Sequence, residues 1–266
     1  MKKISGAISE IYKLAELAGQ DKWLNNVHPL PKLLVTIFFI SMTVSFERYN
    51  ISGLLGMVIY LIVIFVTGEI SFNDSIYRMR IVLPIVCFVG ILNPFFDKEI
   101  MMYIGKLAVS AGVLSMFSLM IKGIFTVLAA YLLIATTTID EICYALRMLH
   151  IPKVIVTVEM LIYRYITLLM QEVSRLSQAY ALRAPKQKGI QMKAWGSFAG
   201  QLLLRSMERA EMVYDSMLLR GFHGEINSAC VKQMRATDYV YLSALIAVIT
   251  GLRVIPVFEL VGNMFM

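Results

Sequence analysis

Apolar and polar positions are segregated along this chain into long blocks. Mostly apolar runs occupy Leu33–Phe46, extendable backwards through Leu30, then Ile51–Thr67, Ile81–Phe96, Leu107–Thr138 and Tyr239–Leu252. About 20 apolar residues span the hydrocarbon core of a bilayer, so the runs predict about five membrane-spanning helices. Pro84 and Pro94 fall inside the third run and Lys122 near the middle of the fourth. The fourth is too long for one upright helix. It reads either as one long tilted helix or as two pieces broken near Lys122-Gly123. Pro256 limits continuation of the last run, and a short apolar tail follows to Met266.

Between Ile139 and Thr237 the blocks give way to a finer period. Val158, Ile162, Tyr165, Leu169, Val173, Leu176, Tyr180 and Arg183 follow steps of three and four, as do Leu203, Met207, Ala210, Tyr214, Met217 and Gly221. Each series marks one seam of an amphipathic helix able to pack on another. Pro152 suits the first turn of the first helix, and Pro185 disfavours helical geometry at Ala184 before it. Gly221 suits the left-handed position that ends the second. Arg183 and Arg220 therefore both fall at the negative end of a helix dipole, where a cation is favoured. They lie in similar short stretches, Leu182-Arg183-Ala184 and Leu219-Arg220-Gly221. Between the helices, Gly196 and Gly200 have the Gly-x-x-x-Gly spacing that lets helix backbones approach closely. With Met207, Ala210 and Tyr214 they are the predicted crossing residues.

Composition agrees with a membrane protein. The chain has 266 residues and is 58% hydrophobic, against about 45–50% for a soluble domain. Its net charge of +7 fits the excess of Lys and Arg on cytoplasmic segments better than nucleic-acid binding. From Ile139 to Thr237, thirteen basic residues stand against eight acidic ones, leaving +5. Five more lysines lie at positions 2, 3, 13, 22 and 32. Both stretches are expected in the cytoplasm, with four spans between them and a fifth carrying the C-terminus outside. The expected division is a membrane domain at 1–138, a cytoplasmic helical domain at 139–237, and a last span with its tail at 238–266. The fold class is thus an all-α integral membrane protein, with about five transmembrane helices plus long amphipathic cytoplasmic helices.

Local chemistry is sparse. The first thirty residues lack the apolar core and small-residue cleavage site of a signal peptide. Cys87, Cys143 and Cys230 form no CxxC pair, and His28, His150 and His223 no zinc spacing. No GxxxxGK[ST] phosphate loop occurs. Glu208 and Glu211 lie on a charged helix without a nucleophile–base constellation or metal motif. No cofactor or metal is therefore expected on this chain. An integral membrane enzyme would need polar residues converging within the spans, the candidates being Lys122, Asn93 and Thr136–Thr138. A channel or secondary transporter is disfavoured by the absence of an inverted repeat and of intramembrane acids.

The order of features resembles the T component of energy-coupling-factor transporters, and within that family CbiQ of the cobalt uptake branch. His28-Pro29-Leu30-Pro31-Lys32-Leu33 is similar to the family's Asp/His-Pro-Arg-x-Lys-Leu start of the first span, with Leu30-Pro31 where an arginine is common. Leu133–Thr137, Ala145–Pro152 and Tyr163-Arg164-Tyr165 resemble the stretches leading into the cytoplasmic helices. The most specific likeness is Arg205-Ser206-x-Glu208-Arg209-Ala210-Glu211-x-Val213-Tyr214, followed by Met217-x-x-Arg220-Gly221-Phe222-x-Gly224. The first arginine motif reads Leu-Arg-Ala where Ala-Arg-Gly is usual.

The resemblance implies a coupling role. Two cytoplasmic helices cross, and the ends carrying Arg183 and Arg220 dock into two ATP-binding cassette subunits. Movement of those subunits passes to a separate substrate-binding membrane subunit, CbiM-like, with a small CbiN-like subunit as a further partner. ATP is bound by the partners, nucleic acid is not a partner, and the place is a prokaryotic cell membrane. The resemblance ties such cobalt uptake to cobalamin biosynthesis. A vitamin-transporting T component is the alternative within the same family.

Overall fold

The computed structural model describes residues 6, 12–47, 51–72, 75–76, 83–96, 100–104, 107–185, 189–224 and 232–254. Lys186, Lys188, Glu225, Cys230, Pro256 and the tail to Met266 lie outside them. The chain divides into two compact units. The membrane unit comprises Ala18–Thr138 and Lys232–Met266, and the helix-pair unit comprises Met1–Leu17 and Ile139–Val231.

The membrane unit holds α1 (Trp23–Asn26), α2 (Pro29–Val44), α3 (Ile51–Gly56), α4 (Val58–Gly68), α5 (Leu83–Phe96), α6 (Ala111–Thr136) and, late in the chain, α10 (Ala236–Val254). Between α5 and α6 lies a small antiparallel hairpin, β1 (Ile100–Ile104) with β2 (Leu107–Ser110), irregular between Ile100 and Met102. The fourth apolar run therefore starts as a strand, not a helix. Pairing with β1, whose Ile100, Tyr103 and Ile104 favour extended backbone, holds Leu107–Ser110 in that conformation, and helix begins only at Ala111. From there α6 runs unbroken through Lys122-Gly123, so the one-helix alternative holds. Three described helices are long and apolar enough to cross a membrane: residues 112–136 and 236–254 here, and 153–183 in the other unit. Shorter apolar helices cover residues 29–44 and 52–68. The chain is a multi-pass membrane protein.

Apolar faces of α2, α3, α4, α6 and α10 meet in one core, with Val35, Phe39, Leu54, Met57, Ala129, Leu132 and Ile249 among its buried members. Phe39 and Tyr60 stack with ring centroids 4.2 Å apart. Ile62, Val66, Phe88, Phe117 and Val240 are exposed. Lipid rather than water is the medium that makes such an apolar surface stable.

Helix ends in lipid must find partners for their last carbonyls, and basic side chains supply them here. Lys22 Nζ donates to the carbonyls of Gly68 and Glu69, at 3.2 and 2.7 Å, where α4 ends. The 16-residue α2 is only about 24 Å long, shorter than the ~30 Å hydrocarbon layer. Two cations cover its C-terminal end. Lys122 Nζ donates to Phe46 O at 2.6 Å. Arg253 donates to Met42 O at 3.2 Å and Ser45 Oγ at 3.1 Å, and stacks over the Phe46 ring. Lys122 is thus a cap for a neighbouring helix. It also lies about 21 Å along α6 from Thr136, so these two candidates for an intramembrane site do not converge; the Asn93 side chain lies outside the described residues.

The opposite ends are capped by side chains as well. His28 precedes α2 and accepts the Leu30 N–H on Nδ1 at 3.2 Å. Asp238, buried in the first turn of α10, accepts from Arg235 N at 2.8 Å and from His28 N at 3.0 Å. That carboxylate joins the beginnings of α2 and α10.

Close helix approach occurs where α5 meets α6. A Cβ on Gly123 would lie 2.6 Å from Val86 Cγ1, and one on Gly90 3.1 Å from Met120 Cγ. The first distance is below any real contact and its neighbour is a stiff, branched side chain. Gly123→Ala should therefore lose about 1–3 kcal/mol by overpacking, and Val86→Ala in the same chain should recover part of it. Thermal unfolding in detergent micelles measures both. A single variant as stable as the parent would exclude this contact.

Candidate coupling site

The helix-pair unit contains α7 (Ile139–Met148), α8 (Lys153–Arg183) and α9 (Met192–Leu219). Asp140 and Glu141 open α7 and Arg147 closes it, each on the side the helix dipole favours. Helices α7 and α9 end in the same turn. After α7, Ile151 N donates to Leu146 O and His150 N to Arg147 O, with His150 left-handed at φ 61°. After α9, Phe222 N donates to Met217 O and Gly221 N to Leu218 O, with Gly221 at φ 78°. This double bond pattern satisfies the last carbonyls and needs a left-handed residue at its corner. Pro152 then stands at the N-cap of α8, and Ala184 at its C-cap.

The long helices run antiparallel. Glu172 on α8 forms an ion pair with Arg205 on α9. Towards the start of α8, Ile162, Tyr165 and Leu169 share a groove of about 630 Å³ with Ala210, Tyr214 and Met217 towards the end of α9. Glu172, with its side chain only 13% exposed, also lies 3.9 Å from Arg175. Arg205 is about half exposed, which brings the pair close to the surface case of about 0.2–1 kcal/mol, so it sets the register of α8 against α9 more than their stability.

Antiparallel packing sends the two arginines to opposite ends. From Glu172 to Arg183 the chain advances about 16 Å, and from Arg205 to Arg220 about 22 Å the other way. The tips thus stand roughly 40 Å apart along the pair. Arg183 and Arg220 are exposed, and neither guanidinium has an ion-pair partner among the described residues. Beside each stands an unusually bare leucine, Leu182 at 84% and Leu219 at 90% exposure. Ala184 is half-buried and Gly221 exposed. Each tip therefore offers a cation and an apolar knob side by side.

Ala210 and Tyr214 line the groove, while Met207 is half exposed and outside its lining. Gly196 and Gly200 do not bring backbones together: a Cβ on either meets nothing within 4 Å. They lie near the start of α9, away from the groove, whereas the tight glycine contacts are at Gly90 and Gly123 in the membrane unit. Sequence reasoning passed over Glu172 as a partner for Arg205, because the two are 33 residues apart. Leu182 and Leu219 belong to the arginine stretches expected from the sequence, but periodicity assigns them to no seam, and only the structure shows how bare they are. Much of the pair's apolar surface is uncovered, including Ile155, Leu203, Leu204 and Met212.

Among the described residues no three His, Cys, Asp or Glu side chains gather as a metal site would require. Cys143 is buried in α7, and burial, with the Glu159 and Asp140 carboxylates nearby, pushes its thiol up to about 11. It is protonated, and a poor nucleophile, at neutral pH.

Comparison with known sequences adds to this geometry. Residues 20–229 match the pattern of the CbiQ family, described as cobalt transport protein. Two proteins of Methanocaldococcus jannaschii, both uncharacterised, are similar in part. MJ1571 is 30% identical over 129 residues, covering 47% of this chain and 44% of that protein. MJ1089 is 30% identical over 151 residues, covering 56% and 54%. The chain spans about half the length of the curated relatives it matches.

Proposed function

Because the chain belongs to the CbiQ family of cobalt transport proteins, we propose that it is the membrane coupling subunit of an ATP-driven, energy-coupling-factor type importer of cobalt, or of nickel. The family comprises transport components of the membrane rather than catalytic enzymes. The observation that carries the reading is the pair of tips, Leu182-Arg183 and Leu219-Arg220, exposed at opposite ends of an antiparallel helix pair. That arrangement suits two identical or similar partners, one at each end. A guanidinium offers a planar fork of donors that binds a carboxylate in a defined direction. The bare leucine adds an apolar anchor to each contact.

In this reading two ATP-binding cassette subunits each take one tip and hydrolyse the ATP, which this chain, without a phosphate loop, does not bind. Their approach and separation move α8 and α9, and the displacement enters the membrane unit. A separate, CbiM-like membrane subunit binds the metal, with a CbiN-like subunit beside it. The N-terminus and the helix-pair unit lie in the cytoplasm. Helix α8 is apolar enough to cross a membrane by composition, and the reading places that apolar surface against partner subunits and the bilayer face.

Detergent extraction of the tagged chain from its own cells, followed by identification of the co-purifying proteins, tests this. Two ATP-binding subunits and a metal-binding membrane subunit are expected. A vitamin-binding membrane subunit in its place would point to the alternative branch. Purification of the chain without any ATP-binding protein would refute the coupling role.

A further inference from the structure

The chain passes between its two units three times, at Leu17-Ala18, Thr138-Ile139 and Val231-Lys232. Within the membrane unit, the residues at all three passages are gathered on one asparagine and one lysine. Asn25 Nδ2 donates to the carbonyls of Ala18 and Gln20, at 3.2 and 2.8 Å, beside the first passage. Lys32 Nζ donates to Thr136 O, the last residue of α6, at 3.0 Å, and to Asn25 O at 3.2 Å. Lys232 Nζ, at the third passage, donates to the same Asn25 O at 3.2 Å. Asn25 is 6% and Lys32 3% exposed.

A buried ammonium is expensive unless carbonyls or carboxylates surround it. A helix C-terminus such as that of α6 is one of the few backbone sites that favour a cation. Lysine also carries three donors on one atom, enough to tie separate segments to a single point. Three connections that swung independently would absorb a displacement. Three connections tied to one point deliver it.

We propose that Asn25 and Lys32 form a clasp that makes the three connections one rigid base, so that movement of the helix-pair unit is transmitted to the membrane helices. They act as positioning residues and touch neither nucleotide nor metal. The inference rests on the coupling role proposed above, and its tests separate the two.

In the complete complex, reconstituted in proteoliposomes, the ratio of Co²⁺ taken up to ATP hydrolysed is the deciding quantity. Lys32→Met keeps the length of the side chain and removes the donors. It should lower the ratio at least fivefold while the ATP-binding subunits remain attached, and Lys32→Arg should restore most of it. A merely structural role would lower uptake and hydrolysis together and leave the ratio alone. If Lys32→Met does not assemble, Lys232→Met, which frees a single connection at a part-buried site, decides in the same way with a smaller fall. An unchanged ratio in the variant that assembles overturns the clasp.

Amide hydrogen exchange of the chain alone in micelles provides a readout that needs no transport. In Lys32→Met, protection should fall together around residues 18–20, 136–139 and 232–235. A fall confined to one of these segments also overturns the clasp. Failure of the coupling role itself has a different signature: ATP-independent uptake by the parent complex, with the exchange result intact.

Discussion

Arg220→Glu is expected to abolish metal uptake and to release one ATP-binding subunit from the detergent-extracted complex. The structure presents Arg220 as the C-cap of the 28-residue α9, in a turn that two backbone hydrogen bonds and a left-handed glycine hold in place. The guanidinium is therefore exposed on a defined support. A hydrogen bond to a charged partner is worth about 1.5–3 kcal/mol, which alone is a ten- to hundredfold loss of affinity. Reversal of the charge adds repulsion from the same carboxylate. Arg220→Lys keeps the charge and loses the fork, and should fall between the parent and Arg220→Glu in both uptake and pull-down. Leu219→Ala should weaken the contact further, since its side chain is almost wholly bare in the chain alone. Wild-type recovery of the ATP-binding subunits with Arg220→Glu, together with normal Co²⁺ uptake, would rule out docking at this tip.

Lys122→Met should destabilise the membrane unit by about 1–3 kcal/mol, the range for leaving a buried hydrogen-bonding group without its partner. The replacement keeps the side chain's reach and removes the donor that holds Phe46 O at 2.6 Å. Removing a cation from the bilayer is favourable in itself. However, the unfolded chain in the membrane carries the same lysine, so most of that gain cancels, whereas the exposed end of α2 arises only in the folded variant. Lys122→Arg retains the donors and should stay near the parent. Unfolding in mixed micelles, followed by tryptophan fluorescence or circular dichroism, reads the difference. A Lys122→Met variant of full stability that has lost uptake would show the lysine acting on a transported species instead, and would revive the intramembrane site that the separation of Lys122 from Thr136 argues against.

Part of this architecture is legible from local windows. The block pattern of apolar residues locates α2, α5, α6 and α10 to within a few residues, and merges α3 and α4 into one run, because the requirement to satisfy backbone groups in lipid acts on each segment separately. Steps of three and four reveal α8 and α9 for the same reason: helix periodicity is a property of neighbours along the chain. The turn at Gly221 is readable because left-handed geometry selects glycine within one turn of the helix end. His150 fills the equivalent corner after α7 and gives no such signal, since histidine occurs there far less often.

The rest depends on partners distant in sequence. Gly196 and Gly200 have the spacing of a close crossing and meet nothing, whereas Gly90 and Gly123, 33 positions apart with no motif between them, form one. Spacing describes what a helix face permits. Only the position of a second helix decides whether that face is used.

By itself the sequence determined the elements of this protein: which segments enter a membrane, which are amphipathic, and that two long helices finish on arginine. Those outcomes follow from hydrophobic burial and capping, which act within a few turns of the chain. The tertiary structure alone decided how the elements are joined. It set the antiparallel register that sends Arg183 and Arg220 to opposite ends. It placed Lys122 beneath a helix end 76 residues away, and it gathered segments beside three distant connections on Asn25 and Lys32. Such pairings bring groups from far along the chain to within about 3 Å, and a carbonyl without a donor in one segment carries no mark of the residue that will satisfy it.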